Sequence, residues 1–551
     1  MLLVVGWDGA AWELADRFLA AGCMPTLSRL MAGGQALEVD STLPPVTFPA
    51  WTSFMTGASP ARHGITDFTA RRAGTYGVRF LNSTHRRLPT IWRAMAAAGR
   101  RVGVYAMPAT YPAEGVCEVE VCGFDTPLGA SMGRGFCHPP QLAGAITARY
   151  GGLAVEGVPQ GRIEPGWHDD ALGRLIGSIR LRTRIVADLL REGAFDVFAV
   201  HFMESDTVAH HFWQFHDGSS PVHSDDGPAS AIQDIYRELD RSLAELLAAS
   251  GGEAALLLLS DHGNGGASDR VIAWNRVLAD AGLLAFLPAA AGSRLARSLK
   301  HAAMMAVPVS WQAPLFGALP GLAARVESAS RFAGIDWGRT RAYSEELPYQ
   351  AAVWLNLAGR EPQGIVAGDD AEVVIRQISA ALLALRDPFD GQGVVTRVLR
   401  REQVAEGPYA HQIPDLLLEL RQPQGYSYGA ISSKAGTETA SVRRLRPHER
   451  SGAKGSATSG MHRMTGMGLL CAQDVPMRTQ RVRCTLQDCA VTALALTGLS
   501  PSPQMEGRSL LDFPGVLTAS PLTPTLTPVQ EYSAEQEREV EQRLRALGYL
   551  P

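Results

Sequence analysis

Five short polar clusters stand far apart in the chain. They are Gly6-Trp7-Asp8-Gly9, Val46-Thr47-Phe48-Pro49, Ser205-Asp206 with His210, Ser260-Asp261-His262-Gly263, and Gly460-Met461-His462-Arg463. Together they supply three aspartates, three histidines and one threonine hydroxyl. Carboxylate oxygens and imidazole nitrogens are donors for zinc, manganese or iron. A hydroxyl beside such ions becomes a nucleophile once its pKa is lowered. The inventory is that of a two-metal hydrolytic centre with its own nucleophile.

Placement supports this reading. Asp8 follows the apolar run 2–7, and Asp261-His262 follow four leucines and Ser260. An aspartate just past a buried strand lies at the carboxyl edge, where open α/β sheets build their sites. A buried carboxylate without a partner is costly, and a cation removes that cost. Asp206 and His210 are four residues apart, so a helix would point both the same way. His462, in what reads as a loop of glycines, could complete a second ion's shell. Arg463 beside it could hold an anion or pair with a carboxylate. Thr47 precedes a short helix whose first N–H groups suit a phosphoryl group.

Each residue also has a plainer reading. Asp8 could cap a helix or turn, Thr47 could be an ordinary N-cap, and Asp261-His262 could be a structural pair. His210 alone could be a satisfied core histidine. His201, His216 and His223 carry no pattern, and His211 points away from the Asp206 face. Thr52 and Ser53 are alternative hydroxyls within the helix.

The elements that must position these groups follow from periodicity and breakers. Strands are expected at 2–7, 36–40, 101–105, 195–202 and 254–259, and helices at 11–32, 49–56, 90–98, 179–192 and 230–248. Alternation of apolar strands with helices predicts a mostly parallel sheet covered on both faces. Residues 113–180, rich in Gly and Pro, read as an excursion over the site, and 276–345 as an inserted helical cap. Strands resume at 351–357, 394–400 and 414–420, the last expected in the main sheet. The Pro/Thr-rich stretch 501–528 reads as a linker or strap, and 534–547 as a charged helix that docks on the body or meets a partner.

The 551 residues are 46% apolar with a formal net charge of −4. A large core is expected, and a nucleic-acid footprint is not. The short basic runs Arg71-Arg72, Arg86-Arg87 and Arg443-Arg444 read as solvated faces. Seven unpatterned cysteines argue for free thiols in a reducing compartment, here the cytoplasm. Residues 2–5 already form the first strand, so no signal peptide is expected. The apolar segment 302–324 is broken by prolines, so no membrane span is expected.

Taken in order, several stretches resemble the alkaline phosphatase superfamily in its type I phosphodiesterase/nucleotide pyrophosphatase branch. They are GWDGAAW at 6–12, LPPVTFPAWTSFMTG at 43–57, SPARHGITDF at 59–68, SDTVAHHFW at 205–213, LSDHGNGG at 259–266 and SGMHR at 459–463. NLAGREPQG at 356–364, IPDLLLEL at 413–420 and RLRALGYL at 543–550 are similar to a bacterial and archaeal group of phosphohydrolases or phosphomutases.

The resemblance implies a three-layer α/β/α core with a mostly parallel central sheet and inserted cap segments at 69–180 and 276–345. The catalytic domain would span 1–500, with the linker and terminal helix at 501–551. The resemblance also implies that Asp8, Thr47, Asp261 and His262 surround one ion, and that Asp206, His210 and His462 surround the other. The ions are expected to be zinc, with manganese or iron able to substitute. Thr47 would attack phosphorus in line, and water would then cleave the phospho-threonine. Phe48 and Arg463 are the expected substrate-binding residues.

Two departures bear on the substrate. Nucleotide pyrophosphatases carry Asn three residues after the nucleophile, where this chain has Ala50. The modified Cys or Ser context of sulfatases is absent around Thr47. The sequence therefore points to a hydrolase of small phosphoesters, with diester or nucleotide-like substrates ahead of monoesters. A phosphomutase of the same superfamily is the main alternative, and a metal-stabilised binding protein a distant one.

Overall fold

The computed structural model describes residues 1–127, 135–158, 163, 166–288, 332, 334–433, 436–446, 449, 458–473, 475, 479–511 and 528–547. A nine-stranded sheet runs through it. Its order is Val482–Thr485, Gln35–Asp40, Thr465–Cys471, Ala255–Leu259, Leu2–Trp7, Val197–Phe202, Val102–Met107, Val119–Cys122 and Cys137–His138. Leu2–Trp7 is parallel to both neighbours, while Thr465–Cys471 runs antiparallel between Gln35–Asp40 and Ala255–Leu259.

Strand alternation sends side chains to two separate cores. Leu3, Val5, Trp7, Phe198, Val200, Leu256 and Leu258 face the helices Trp12–Ala20, Trp167–Glu192, Glu204–His216 and Ala231–Ala249. Leu2, Val4, Val197, Ala199, Leu257 and Leu259 face Thr47–Thr56, Ile91–Ala97 and Leu486–Leu496. Both faces of the central strands are thus apolar, as a sheet sandwiched between helical layers requires. The expected α/β/α architecture is the observed one.

Several expectations change. Residues 11–32 form two helices, Trp12–Ala20 and Pro25–Met31, separated by Gly22 at φ +70°. The stretch 69–180 does not simply lie over the site, because three of its strands extend the central sheet. Leu416–Leu420 is not in the main sheet. It pairs antiparallel with Ala352–Leu355 and Val395–Arg400 in a smaller four-stranded sheet that Ala342–Tyr343 completes. A run of leucines is equally suited to either sheet, and periodicity does not name its partner. This sheet packs with Trp274–Asp280 and Ala371–Ala384 around its own apolar cluster, including Trp354, Ile378 and Leu382. Most of the expected 276–345 cap, including the whole apolar segment 302–324, lies outside the described residues.

The terminal helix Ala534–Ala546 docks on the body. Val540, Leu544 and Leu547 join the core that also holds the Thr47–Thr56 helix. Arg543 donates to the Val155 carbonyl at 2.6 Å, and Tyr532 stacks on Tyr111. Residues 512–527 of the Pro/Thr-rich segment lie outside the described set. All seven cysteines are free, with Cys484 and Cys489 bringing their sulfurs to 3.9 Å. No helix among the described residues is long and apolar enough to cross a membrane.

Candidate active site

Three neighbouring parallel strands, Ala255–Leu259, Leu2–Trp7 and Val197–Phe202, end side by side. Their carboxyl ends carry Asp261-His262, Asp8, and the start of helix Glu204–His216 with Asp206. Asp206 and His210 sit one turn apart on that helix, with Oδ1 and Nε2 at 3.0 Å. His462 is in a strand rather than a loop. Gly460–Arg463 pairs antiparallel with Gly263–Ile272, and the register sets His462 opposite Asn264. Glycines permit this approach. A Cβ on Gly460 would lie 2.2 Å from the Ala209 carbonyl oxygen, and Gly9, at φ +62°, would place one 2.2 Å from the Asn264 amide.

The predicted ligands converge. Asp8, Asp261 and His262 form one group, and Asp206, His262 and His462 another, with donor atoms in each within 4.8 Å of one another. His262 reaches both groups: Nε2 lies 3.5 Å from Asp8 and 3.4 Å from Asp261, and its ring stacks on His462 at 3.8 Å. His210 Nε2 lies 3.0 Å from His462 Nε2. Thr47 opens the helix Thr47–Thr56, with Val46 as N-cap, and its Oγ1 is 3.5 Å from His262 Nε2. Every residue of that helix is buried.

The hydrogen bonds around these groups test whether a cation fits. His210 Nδ1 meets the Gly460 carbonyl at 2.7 Å, His462 Nδ1 meets Pro45 at 2.7 Å, and His262 Nδ1 meets Gly263 at 3.0 Å. A carbonyl only accepts, so each Nδ1 carries the proton and each Nε2 turns a lone pair inward. The lone pairs of His210 and His462 then face each other across 3.0 Å, an arrangement that calls for a cation between acceptors. Asp206 Oδ2 and Asp261 Oδ2 are buried and accept no hydrogen bond among the described residues. Burial, with the Asp8 charge beside it, pushes the Asp261 carboxyl well above its usual range. Burial, then the neighbouring His462, pushes His262 down to about 4. Asp206 Oδ1 lies 3.0 Å from His210 Nε2 and 3.4 Å from His462 Nε2, a further acceptor at the same point. Acceptor-only groups converging in a desolvated pocket suit metal ions in both groups.

Other groups shape the centre, and of these His201, Tyr349 and Arg182 carried no recognisable signal in sequence. His201 lies 2.8 Å from Asp8 Oδ2, and the Trp51 indole donates to the same oxygen at 3.2 Å. Burial and the nearby Arg182 charge lower His201 to about 3, so it is neutral and donates. Asn264 donates to Asp206 Oδ1 at 3.0 Å. Gly9 N–H holds Asp261 Oδ1 at 3.2 Å. Tyr349 stacks on His462 at 4.2 Å with its ring 6° from parallel. Beneath them, Arg182 donates to the His201 carbonyl at 3.1 Å and pairs with Glu204 at 2.8 Å, both side chains buried.

The two expected substrate contacts differ. The Phe48 side chain is buried against Phe68 and Phe124, so only its backbone remains as a contact for substrate. Arg463 beside His462 is half-buried and donates to the Gly425 carbonyl. His211 packs on Trp167, away from the ligands. Ser53 bonds to buried His63 at 3.0 Å inside the helix layer. The basic pairs are partly structural: Arg71 pairs with Glu361, Arg86 with Glu114, and Arg443 with Glu438 and Glu449.

Three parallel strand ends carry Asp8, Asp206 and Asp261-His262 side by side, and Thr47 arrives on a separate helix. The description of the type I phosphodiesterase / nucleotide pyrophosphatase family matches residues 2–457, and the chain belongs to that family. The fold is shared with phosphonoacetate hydrolase from Sinorhizobium meliloti 1021, solved with phosphonoacetate. The two are 18% identical over 89% of this chain and 94% of that one, with a TM-score of 0.51. Human ectonucleotide pyrophosphatase / phosphodiesterase 5 is 13% identical over 92% and 96%, with a TM-score of 0.45. Its murine counterpart, solved as an inactive variant with AMP, is 12% identical over 91% and 96%, with a TM-score of 0.45. The chain is an enzyme of phosphoester hydrolysis.

Proposed function

We propose that this chain is a two-metal phosphodiesterase, or a nucleotide-pyrophosphatase-like hydrolase, acting through a phosphorylated Thr47. The observation that carries the reading is the position of Thr47 Oγ1. It lies at a helix N-terminus, 3.5 Å from the one histidine that both ligand groups share. Asp8, Asp261, His262 and Thr47 would hold one ion, and Asp206, His210 and His462 the other. Imidazole and carboxylate donors suit zinc, with manganese or iron as substitutes. Such ions supply charge neutralisation for the phosphoryl oxygens and acidify the hydroxyl that attacks.

The chain's own groups orient the reaction. Thr47 Oγ1 bonds to phosphorus as the ester oxygen leaves on the opposite side, and water then attacks phosphorus to release phosphate or a monoester and restore Thr47. The first-turn N–H groups of Thr47 and Phe48 have no intrahelical acceptor and would be available to the anion. Pro49 has no N–H to add. Ala50 offers no polar atom, and the Trp51 N–H is committed to Asp8. Backbone donors therefore replace the side-chain amide that nucleotide pyrophosphatases carry at that position. The substrate would be a small-molecule phosphoester. Seven free cysteines support a reducing compartment such as the cytoplasm.

The test is hydrolysis of bis-p-nitrophenyl phosphate and p-nitrophenyl phosphate by zinc- or manganese-loaded protein. Thr47→Ala is expected to lose roughly 10³-fold or more in kcat/KM. Turnover by Thr47→Ala at the wild-type rate would remove Thr47 from the mechanism. Phosphoryl exchange within a sugar phosphate, without release to water, would make the protein a mutase.

A further inference from the structure

A cleft of about 360 Å³ opens beside the centre. Its walls come from the four-stranded antiparallel sheet, from Ser427–Ala430 and from Gly460–Arg463, and it reaches the site at His462 and the loop Leu43-Pro44-Pro45. We propose that this cleft is the leaving-group subsite, and that it selects phosphoesters of flat or apolar alcohols carrying no more than one negative charge. The proposal rests on the function proposed above.

Direction comes first. In-line displacement puts the departing oxygen on the far side of phosphorus from Thr47. With the ligand assignment proposed above, that side is the one of Asp206, His210 and His462, and of these His462 lines the cleft. Tyr349, stacked on the His462 ring, also lines it and offers an aromatic surface beside the reacting centre.

Chemistry comes second. Leu417, Ala430, Met461 and Pro348 make the walls largely apolar. Two of the charged lining residues, Arg421 and Glu419, are taken up by partners outside the cleft or by the Tyr428 hydroxyl. Arg421 bonds to Asp390 at 2.9 Å and to the Tyr428 hydroxyl at 2.8 Å, and Glu419 pairs with Arg397 at 3.1 Å. Arg463 is the one cation of the lining that forms no ion pair among the described residues, and its guanidinium donates to backbone carbonyls. With Glu13 acting on it and two backbone carbonyls already accepting from it, Arg463 can meet at most one further acceptor. A pyrophosphate or nucleoside diphosphate leaving group would bring two or more charges into that wall without partners. The volume lies at the small end of ligand pockets, roughly 300–1,000 Å³, and suits a bicyclic aryl group.

The experiment compares bis(4-methylumbelliferyl) phosphate with ATP, using metal-loaded wild type, Thr396→Trp and Ser427→Trp. Thr396 is an exposed residue of the cleft, so the indole fills space without entering the core. Inhibition by inorganic phosphate serves as a probe of the metal centre alone. Wild type is expected to favour the aryl diester over ATP by at least 100-fold in kcat/KM. Each tryptophan variant should lose at least ten-fold on the aryl diester, with the phosphate Ki within two-fold of wild type. Equal turnover of ATP, or tryptophan variants with unchanged aryl kcat/KM, would overturn the subsite while leaving phosphoester hydrolysis intact. A loaded wild type that cleaves no phosphoester at all defeats the function itself, and the subsite with it.

Discussion

Asp261→Asn should make the metal-free protein more stable and the metal-loaded protein less stable. Asp261 is fully buried, Gly9 N–H holds its Oδ1, and its Oδ2 accepts no hydrogen bond among the described residues. Burial and the Asp8 charge raise its folded pKa well above 3.8. The sign follows from proton counting. Above pH 3.8 the unfolded chain has ionised this carboxyl while the metal-free native state still holds the proton. Native protein therefore binds more protons, and stability falls as pH rises, by about 1.4 kcal/mol per unit, for as long as the native carboxyl stays protonated. Asparagine has no such proton. Buried His63, His201 and His262, lowered to about 3, 3 and 4, tilt stability the other way below pH 6.5. They are present in both proteins and largely cancel in the difference.

The assay is urea unfolding of chelator-treated wild type and variant between pH 4.5 and 7. The wild-type-minus-variant stability should decline steadily across that window. With metal restored the order should reverse. Binding at a thousand times Kd stabilises the native state by about 4 kcal/mol, and the variant would lack one of the proposed ligands. Parallel pH profiles in chelator would refute the argument that Asp261 is buried against Asp8. Equal metal stabilisation of the two proteins would refute its place as a ligand.

Two more predictions concern the supporting groups. His201→Phe keeps a ring against Trp51 but removes the 2.8 Å contact to Asp8; metal affinity should fall about 10–100-fold in competition with a chromophoric chelator. Arg182→Met leaves Glu204 buried without its cation and should cost about 3–5 kcal/mol in denaturant unfolding, with Glu204→Gln in the same chain recovering much of the loss.

Much of the site was legible because its chemistry is local in sequence. Asp8 and Asp261-His262 follow apolar runs, and Asp206 with His210 needs only a helix to share a face. The elements that failed were those whose identity depends on distant partners. Leu416–Leu420 is a leucine run that either sheet could bury, and its partners are Ala352–Leu355 and Val395–Arg400. His462 looked like a loop residue among glycines. It is a strand residue because those glycines allow Gly460–Arg463 to lie against both Gly263–Ile272 and the Asp206 helix. His201 gave no pattern at all. It acts through Asp8, 193 positions away, across neighbouring strands.

The sequence by itself determined the candidate donor types, the candidate hydroxyl of Thr47 and the layered fold, because strand ends, helix spacing and apolar alternation are short-range properties of the chain. The tertiary structure decided the rest. It turned three imidazole Nε2 atoms inward by fixing their Nδ1 protons on backbone carbonyls, set His262 within reach of both ligand groups, and aimed Asp8 with His201 and Trp51. It also set a mostly apolar cleft against His462. Those features are relations between segments hundreds of residues apart. Their energies arise only when burial removes water and leaves each polar group to whatever partner the fold has brought beside it.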